Sequence, residues 1–261
     1  MLWHEQSWPT IEALDKNLPV MIPLGSLEQH GKHLPLFVDS MQVESVAREA
    51  EKRLADRVLL LPTLWLGCSE HHLDFPGTVS VQPSLYSEII KSVTRSILRA
   101  GFKRVCFMNG HGGNDTPGAQ ALAEMVGEND EADEVYLIFT SWWQIARPAI
   151  VPEKVGTVAP SITHACEYET SMMLFLLPDL VHKDRAIERP PALTNEWIHS
   201  PGGARVRMFR RFHRLTPSGS MGKPTDGTEQ KGKAIHEAVV GEIVAFIQDF
   251  ATWPPLPPIK S

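Results

Sequence analysis

Four short apolar runs rich in branched residues, at 20–24, 58–61, 105–108 and 135–139, alternate with stretches of helical spacing at 40–54, 84–100 and 116–126. Such runs suit strands buried on both faces, and the intervening stretches are long enough for crossover helices. Strand alternating with helix therefore predicts an α/β chain whose parallel sheet is covered by helices. Ser40 and Ser84 stand where N-caps belong. Further helices are expected at 170–177 and 233–250, with a Pro/Arg-rich irregular region between about 189 and 223.

At 261 residues and 43% hydrophobic content, the chain is expected to form one domain over 1–261, with a proline-rich tail at about 253–261. A net charge of -6 and a pI near 6.0 argue against nucleic-acid and anionic-membrane partners. The locally basic run at 205–214 reads instead as a subunit interface or the rim of an anionic-substrate pocket. Cys68, Cys106 and Cys166 form no CxxC pair and leave an odd count, which suits reduced thiols. The first residues lack the basic and apolar blocks of a signal peptide, and no apolar run would span a bilayer. A cytoplasmic location is expected.

Two strands are followed directly by metal-ligand chemistry. Glu28 and His30 lie behind the first run, two apart, so that on extended chain they share a face. Asp39 follows after a loop containing Gly31 and Pro35, and one carboxylate can bridge two ions. His111, behind the third run, is flanked by Gly110, Gly112 and Gly113, which let the backbone turn tightly and bring the imidazole close to a ligand. In open parallel sheets ligands bind beyond the carboxyl ends of the strands, where both segments fall. Imidazole and carboxylate together suit a divalent cation, zinc first, with manganese or ferrous iron also accommodated.

A third segment, Thr163-His164-Ala165-Cys166-Glu167-Tyr168-Glu169, adds another imidazole and two carboxylates ahead of an apolar helix. Its acids equally suit a helix N-terminus, although Glu169 is favoured for the site. His71 and His72 are placed at the pocket rim, His71 with a possible substrate contact. His33 is expected to orient a ligand by hydrogen bonding.

These segments together resemble the creatininase family of metal-dependent hydrolases. The resemblance is carried by Pro23 to Gly31 with Asp39, Phe75-Pro76-Gly77-Thr78, Asn109-Gly110-His111-Gly112-Gly113-Asn114, His164-Ala165-Cys166 with Glu169-Thr170-Ser171, and Pro217 to Pro224 with Glu229 to Gly232. It implies a three-layer Rossmann-like fold, a homo-hexamer and two divalent ions per subunit. Glu28 and His111 would hold one ion, His30 the other, and Asp39 would bridge them. His164 would transfer a proton at the scissile bond. Ser69 would lie in the substrate pocket, and His71, Gly112, Cys166 and Trp142 or Trp143 would stand on the substrate side.

The chain also departs from the creatinine-hydrolysing members. Those carry Tyr-Glu after the second-motif histidine, where this chain has Gly112-Gly113, and Trp and Asp near the catalytic histidine, where it has Pro160 and Ser161. Glu169 is the candidate for the missing second-site ligand, with Glu167 next. The expected activity is hydrolysis of a C–N bond in a small amide, cyclic amide or formamide, with creatinine not favoured over other family substrates. Hydroxide generated at neutral pH would attack and His164 would protonate the leaving nitrogen. The alternative is a non-catalytic binding or scaffold protein that keeps the fold.

Overall fold

A computed structural model of the chain describes residues 1–128, 135–189, 197, 206 and 208–254. The proline-rich tail beyond 254, and Arg205 and Arg207 of the basic run, lie outside the described residues. Four strands, β1 (Val20–Leu24), β2 (Leu59–Leu60), β3 (Arg104–Asn109) and β4 (Tyr136–Ser141), form one parallel sheet in the order β2-β1-β3-β4. The helices are α1 (Trp8–Ala13), α2 (Val38–Leu54), α3 (Pro83–Arg99), α4 (Asp115–Glu128), α5 (Trp142–Ile145), α6 (Pro152–Val155), α7 (Glu167–Leu176) and α8 (Glu229–Phe250).

Alternation along each strand builds two cores. Met21, Cys106 and Met108 face a layer containing Val43, Ala47, Ile235 and Ile243 from α2 and α8. Val20, Ile22, Leu24, Val105 and Phe107 face the opposite way, against Tyr86 and Ile90 of α3 and Leu122 of α4. Burial on both faces explains why these strands read as continuous apolar runs.

Neither serine expected at a helix cap holds that position. Val38 and Asp39 precede Ser40 in α2, and the Ser40 hydroxyl donates to the Ser26 carbonyl at 2.9 Å while accepting from the Ser26 N–H at 3.1 Å. It ties the helix to the loop behind β1. In α3 the first position belongs to Pro83, whose missing N–H costs nothing there. α7 starts three residues before the sequence pattern predicts, which puts Glu167 and Glu169 in its first turn.

The chain runs from β1 outward to β2 on one side and from β3 to β4 on the other. The carboxyl ends of β1 and β3 therefore flank the point where the strand order reverses, the natural crevice of an open parallel sheet.

Candidate metal centre

Glu28 and His30 leave β1 into that crevice, and His111 leaves β3. Asp39 enters from the first turn of α2, with its carboxylate at the positive end of the helix. Glu169 comes from the first turn of α7. All five are buried.

The asparagines bracketing His111 build the loop that carries it. Asn109 accepts from the His111 N–H at 3.1 Å and donates to its carbonyl at 2.7 Å, while Asn114 accepts from the Cys68 N–H at 2.9 Å and donates to the Gly25 carbonyl at 3.0 Å. His111 Nε2 lies 3.1 Å from the Cys68 carbonyl and 3.1 Å from Ser69 Oγ. Donation from Nε2 to the carbonyl leaves the Nδ1 lone pair aimed at carboxylates, 3.3 Å from Glu28 Oε2 and 2.9 Å from Asp39 Oδ2. His30 mirrors this. Its Nδ1 lies 3.2 Å from the Glu28 carbonyl, and its Nε2 is 3.1 Å from Asp39 Oδ1 and 3.9 Å from Glu169 Oε1.

Asp39 thus faces one imidazole with each oxygen. Glu28 Oε2, Asp39 Oδ2, Glu169 Oε2 and His30 Nε2 are all buried without an aligned hydrogen bond. Orphaned groups of this kind are costly, and here they converge. Ligand atoms of His30, Asp39 and Glu169 lie within 4.8 Å of one another, and the same holds for Glu28, His71 and His111 and for Glu28, His30 and His164. Hard carboxylate oxygens and imidazole nitrogens on either side of a shared carboxylate fit a pair of divalent cations.

The electrostatics of the chain alone carry the same signature. Burial pulls the His30 imidazole down, but Asp39 overcomes it and lifts it to about 10. Burial likewise opposes the charged form of His111, yet Glu28 and Asp39 raise it well above its ordinary value. Asp39 is held far below the carboxylate range against burial by His30 and His111. Burial raises Glu169 to about 7, helped by the charges of Asp39 and Glu28. Protons on the imidazoles stand where cations would compete for them.

His164 lies beside this group, Nδ1 3.6 Å from Glu28 Oε1, with Nε2 2.8 Å from the Gln29 carbonyl. Burial and the neighbouring His30 push it well below its ordinary value, so it is neutral with a free Nδ1. Glu167 is elsewhere. It accepts from the Val158 and Ala159 N–H groups and pairs with Lys231.

Trp142 and Cys166, expected on the substrate side, lie in the core instead. Trp142 is 1% exposed and makes no pocket wall, while the half-buried Trp143 packs edge-on against it at 5.4 Å. Cys166 is fully buried in the same core, and burial raises its thiol to about 12. Ser69 is fully buried behind His111. His33 bonds Thr170 Oγ1 at 2.9 Å instead of a ligand side chain. Gly112 has open space around it, and His71 lies against His111, 5.8 Å between ring centroids.

Three further residues complete the site. The Gln29 side-chain amide lies 2.9 Å from both His72 Nδ1 and His164 Nε2. His72 is buried rather than at the rim, with Nε2 3.5 Å from Glu28 Oε1. Phe212 packs on His72 at 4.2 Å and on His164 at 4.6 Å, held in place by Arg211 and His213, both bonded to Asp74. Gln29 and His72 sit inside motifs already singled out, whereas nothing local marks Phe212.

The family model described as creatininase, creatinine amidohydrolase, matches residues 4–247. The creatinine amidohydrolase of Pseudomonas putida is 29% identical over 260 residues, spanning 94% of this chain and 95% of its own. A mycofactocin precursor peptide peptidase of Mycobacterium ulcerans is 30% identical over 260 residues, spanning 96% and 88%. A solved creatininase mutant of Zn–Zn type superposes with a TM-score of 0.76 at 26% identity, covering 95% of this chain and 97% of its own. With the match running through nearly every element that builds the crevice, the chain belongs to the creatininase family.

Proposed function

We propose that this chain is a binuclear metal-dependent amidohydrolase that cleaves a C–N bond in a small amide, cyclic amide or formamide. The observation that carries the reading is Asp39, one oxygen on His30 and the other on His111, with buried carboxylate and imidazole atoms left without aligned partners around it. Glu28 and His111 would hold one cation, His30 and Glu169 the other, and Asp39 both. Zinc suits this donor set, and manganese or ferrous iron is also compatible. Cations bound there supply Lewis acidity that activates water and polarises a carbonyl.

The protein's own groups would do the rest. His164, neutral with Nε2 committed to the Gln29 carbonyl, offers Nδ1 to take the proton of the attacking water and return it to the departing nitrogen. The Gln29 carbonyl fixes that ring, and the Gln29 side-chain amide donates to His72 Nδ1. Phe212 covers both imidazoles and keeps bulk water from them. Ser69 and the Cys68 carbonyl hold His111 in the tautomer that presents Nδ1.

Creatinine is disfavoured because Gly112-Gly113 and Pro160-Ser161 replace side chains found in creatinine-hydrolysing members, and Phe212 is the aromatic beside His164. A hexamer built from this chain belongs to the same proposal. The test is hydrolysis of creatinine, formamides, other cyclic amides and short peptides by protein loaded with zinc or manganese, with Glu28→Ala as control. Turnover of a small amide that disappears in Glu28→Ala is expected. Loaded wild-type protein that cleaves no C–N bond in the panel would sink the reading.

A further inference from the structure

His71 is not among the ligands that the family resemblance implies, yet it stands beside Glu28 and His111 at the metal centre. One of its ring nitrogens, one of His111 and a Glu28 oxygen all lie within 4.8 Å of one another. Its ring runs nearly parallel to that of His111, 20° between planes and 5.8 Å between centroids, with His72 at 4.2 Å and Phe212 at 6.4 Å. Among the described residues neither nitrogen of His71 has a hydrogen-bond partner, although the side chain is half-buried. Its nitrogens keep access to solvent and are committed to no other residue, which leaves them open to a cation beside Glu28 and His111.

Gly113 explains how the ring reaches this place. A Cβ at 113 would stand 2.4 Å from His111 Nε2, 3.0 Å from His71 Cε1 and 2.1 Å from the Cys68 carbonyl oxygen. Only bare backbone at that position leaves room for the two imidazoles side by side. The glycine that removes an acid from the second motif thus admits a histidine from the short helical turn at Glu70–His72.

We infer that His71 is a ligand of the cation held by Glu28 and His111. The inference rests on the binuclear reading and adds to it an asymmetry. The position beside His111 would then draw on four protein donors, Glu28, Asp39, His111 and His71, and the position beside His30 on His30, Asp39 and Glu169. Four protein ligands close a zinc site, whereas three leave a place for water or substrate. The ion beside His111 is the tightly held, saturated one, and the ion beside His30 and Glu169 is the one that meets substrate.

The test is a titration of metal-free protein with Zn2+ against a chromogenic chelator, for wild type, His71→Ala and His71→Phe. Phenylalanine keeps a ring against His111 and removes the nitrogen. Two affinity classes are expected in wild type, with the tighter class weakened at least ~10-fold in both variants and the weaker class changed less. Wild-type affinities in both variants would overturn the inference, as would weakening in His71→Ala that His71→Phe restores. Wild-type protein that takes up no zinc would overturn it together with the binuclear reading. Two tight ions in wild type that are indifferent to His71 would overturn it alone. Proton NMR of the Co2+-loaded wild type needs no variant: it should show three strongly shifted imidazole N–H signals, from His30, His71 and His111, and a spectrum with only two contradicts the assignment.

Discussion

Lys231 Nζ closes on Glu167 Oε1 at 2.6 Å, and the Val158 and Ala159 N–H groups bind the same carboxylate, while Glu169 turns its carboxylate towards His30. Residues two apart on a helix stand about 200° apart around its axis, so Glu167 and Glu169 serve different ends. Glu169→Gln is predicted to remove one of two bound ions and most turnover while the fold persists. Glu167→Gln should keep both ions and lower stability by about 3 kcal/mol, the cost of leaving Lys231 without its buried partner. Metal content and thermal unfolding of the two variants check this, and the reverse pattern would contradict it.

The neighbouring glycines of the second motif should behave differently. Nothing lies within 4 Å of a Cβ at Gly112, whereas one at Gly113 would crowd the His111 ring. Gly112→Ala should leave metal affinity within about twofold of wild type, and Gly113→Ala should weaken it by ~10-fold or more through displacement of His111. Chelator titration of both variants provides the comparison.

Proton release should accompany metal uptake. His30, lifted to about 10, and His111, raised well above its ordinary value, both hold protons at neutral pH in the metal-free chain. A cation must displace them, so about two protons should leave at pH 7.5 and apparent affinity should rise with pH. Calorimetry in buffers of different ionisation enthalpy counts them. The metal-free fold follows the same logic. Glu169, raised to about 7, gives stability that is complete below the unfolded value of 4.5 and is lost as pH rises through 7. His30 gives stability that is complete below 6.5 and is lost as pH rises through about 10. Buried His33, His71, His72, His164 and His236, all held below their ordinary value, act in the opposite sense up to pH 6.5, so the share of Glu169 is read by difference: the stability of metal-free wild type relative to Glu169→Gln should fall from pH 5 to pH 8, and a rise would contradict the assignment.

Phe212 and Asp74 form a testable pair. Loss of the ring that covers His72 and His164 in Phe212→Ala should lower kcat/KM by up to about tenfold, the size of an aromatic packing contribution. Asp74→Asn, which loosens Arg211 and His213, should have a smaller effect in the same direction. Steady-state kinetics on the amide found active, with metal content unchanged, distinguishes this from a lost ion.

The parallel sheet was legible because burial on both faces demands uninterrupted apolar runs, which stand out between amphipathic stretches. The convergence of Glu28, His30, Asp39 and His111 followed from their position after β1 and β3, where an open sheet gathers its ligands. What could not be read is three-dimensional pairing. Ser40 looked like a cap, but its hydroxyl is taken by Ser26 across the loop behind β1. Trp142 looked suited to a pocket, yet the chain buries it beneath α8. Phe212 reaches the site because its neighbours Arg211 and His213 bond Asp74, more than a hundred residues away, and no local pattern carries that information.

The most direct test of a binuclear centre bridged by Asp39 is anomalous diffraction from crystals of zinc-loaded protein. The account predicts two peaks, one between Asp39 and His111 and one between Asp39 and His30. A single peak, or two peaks away from the Asp39 carboxylate, would contradict it.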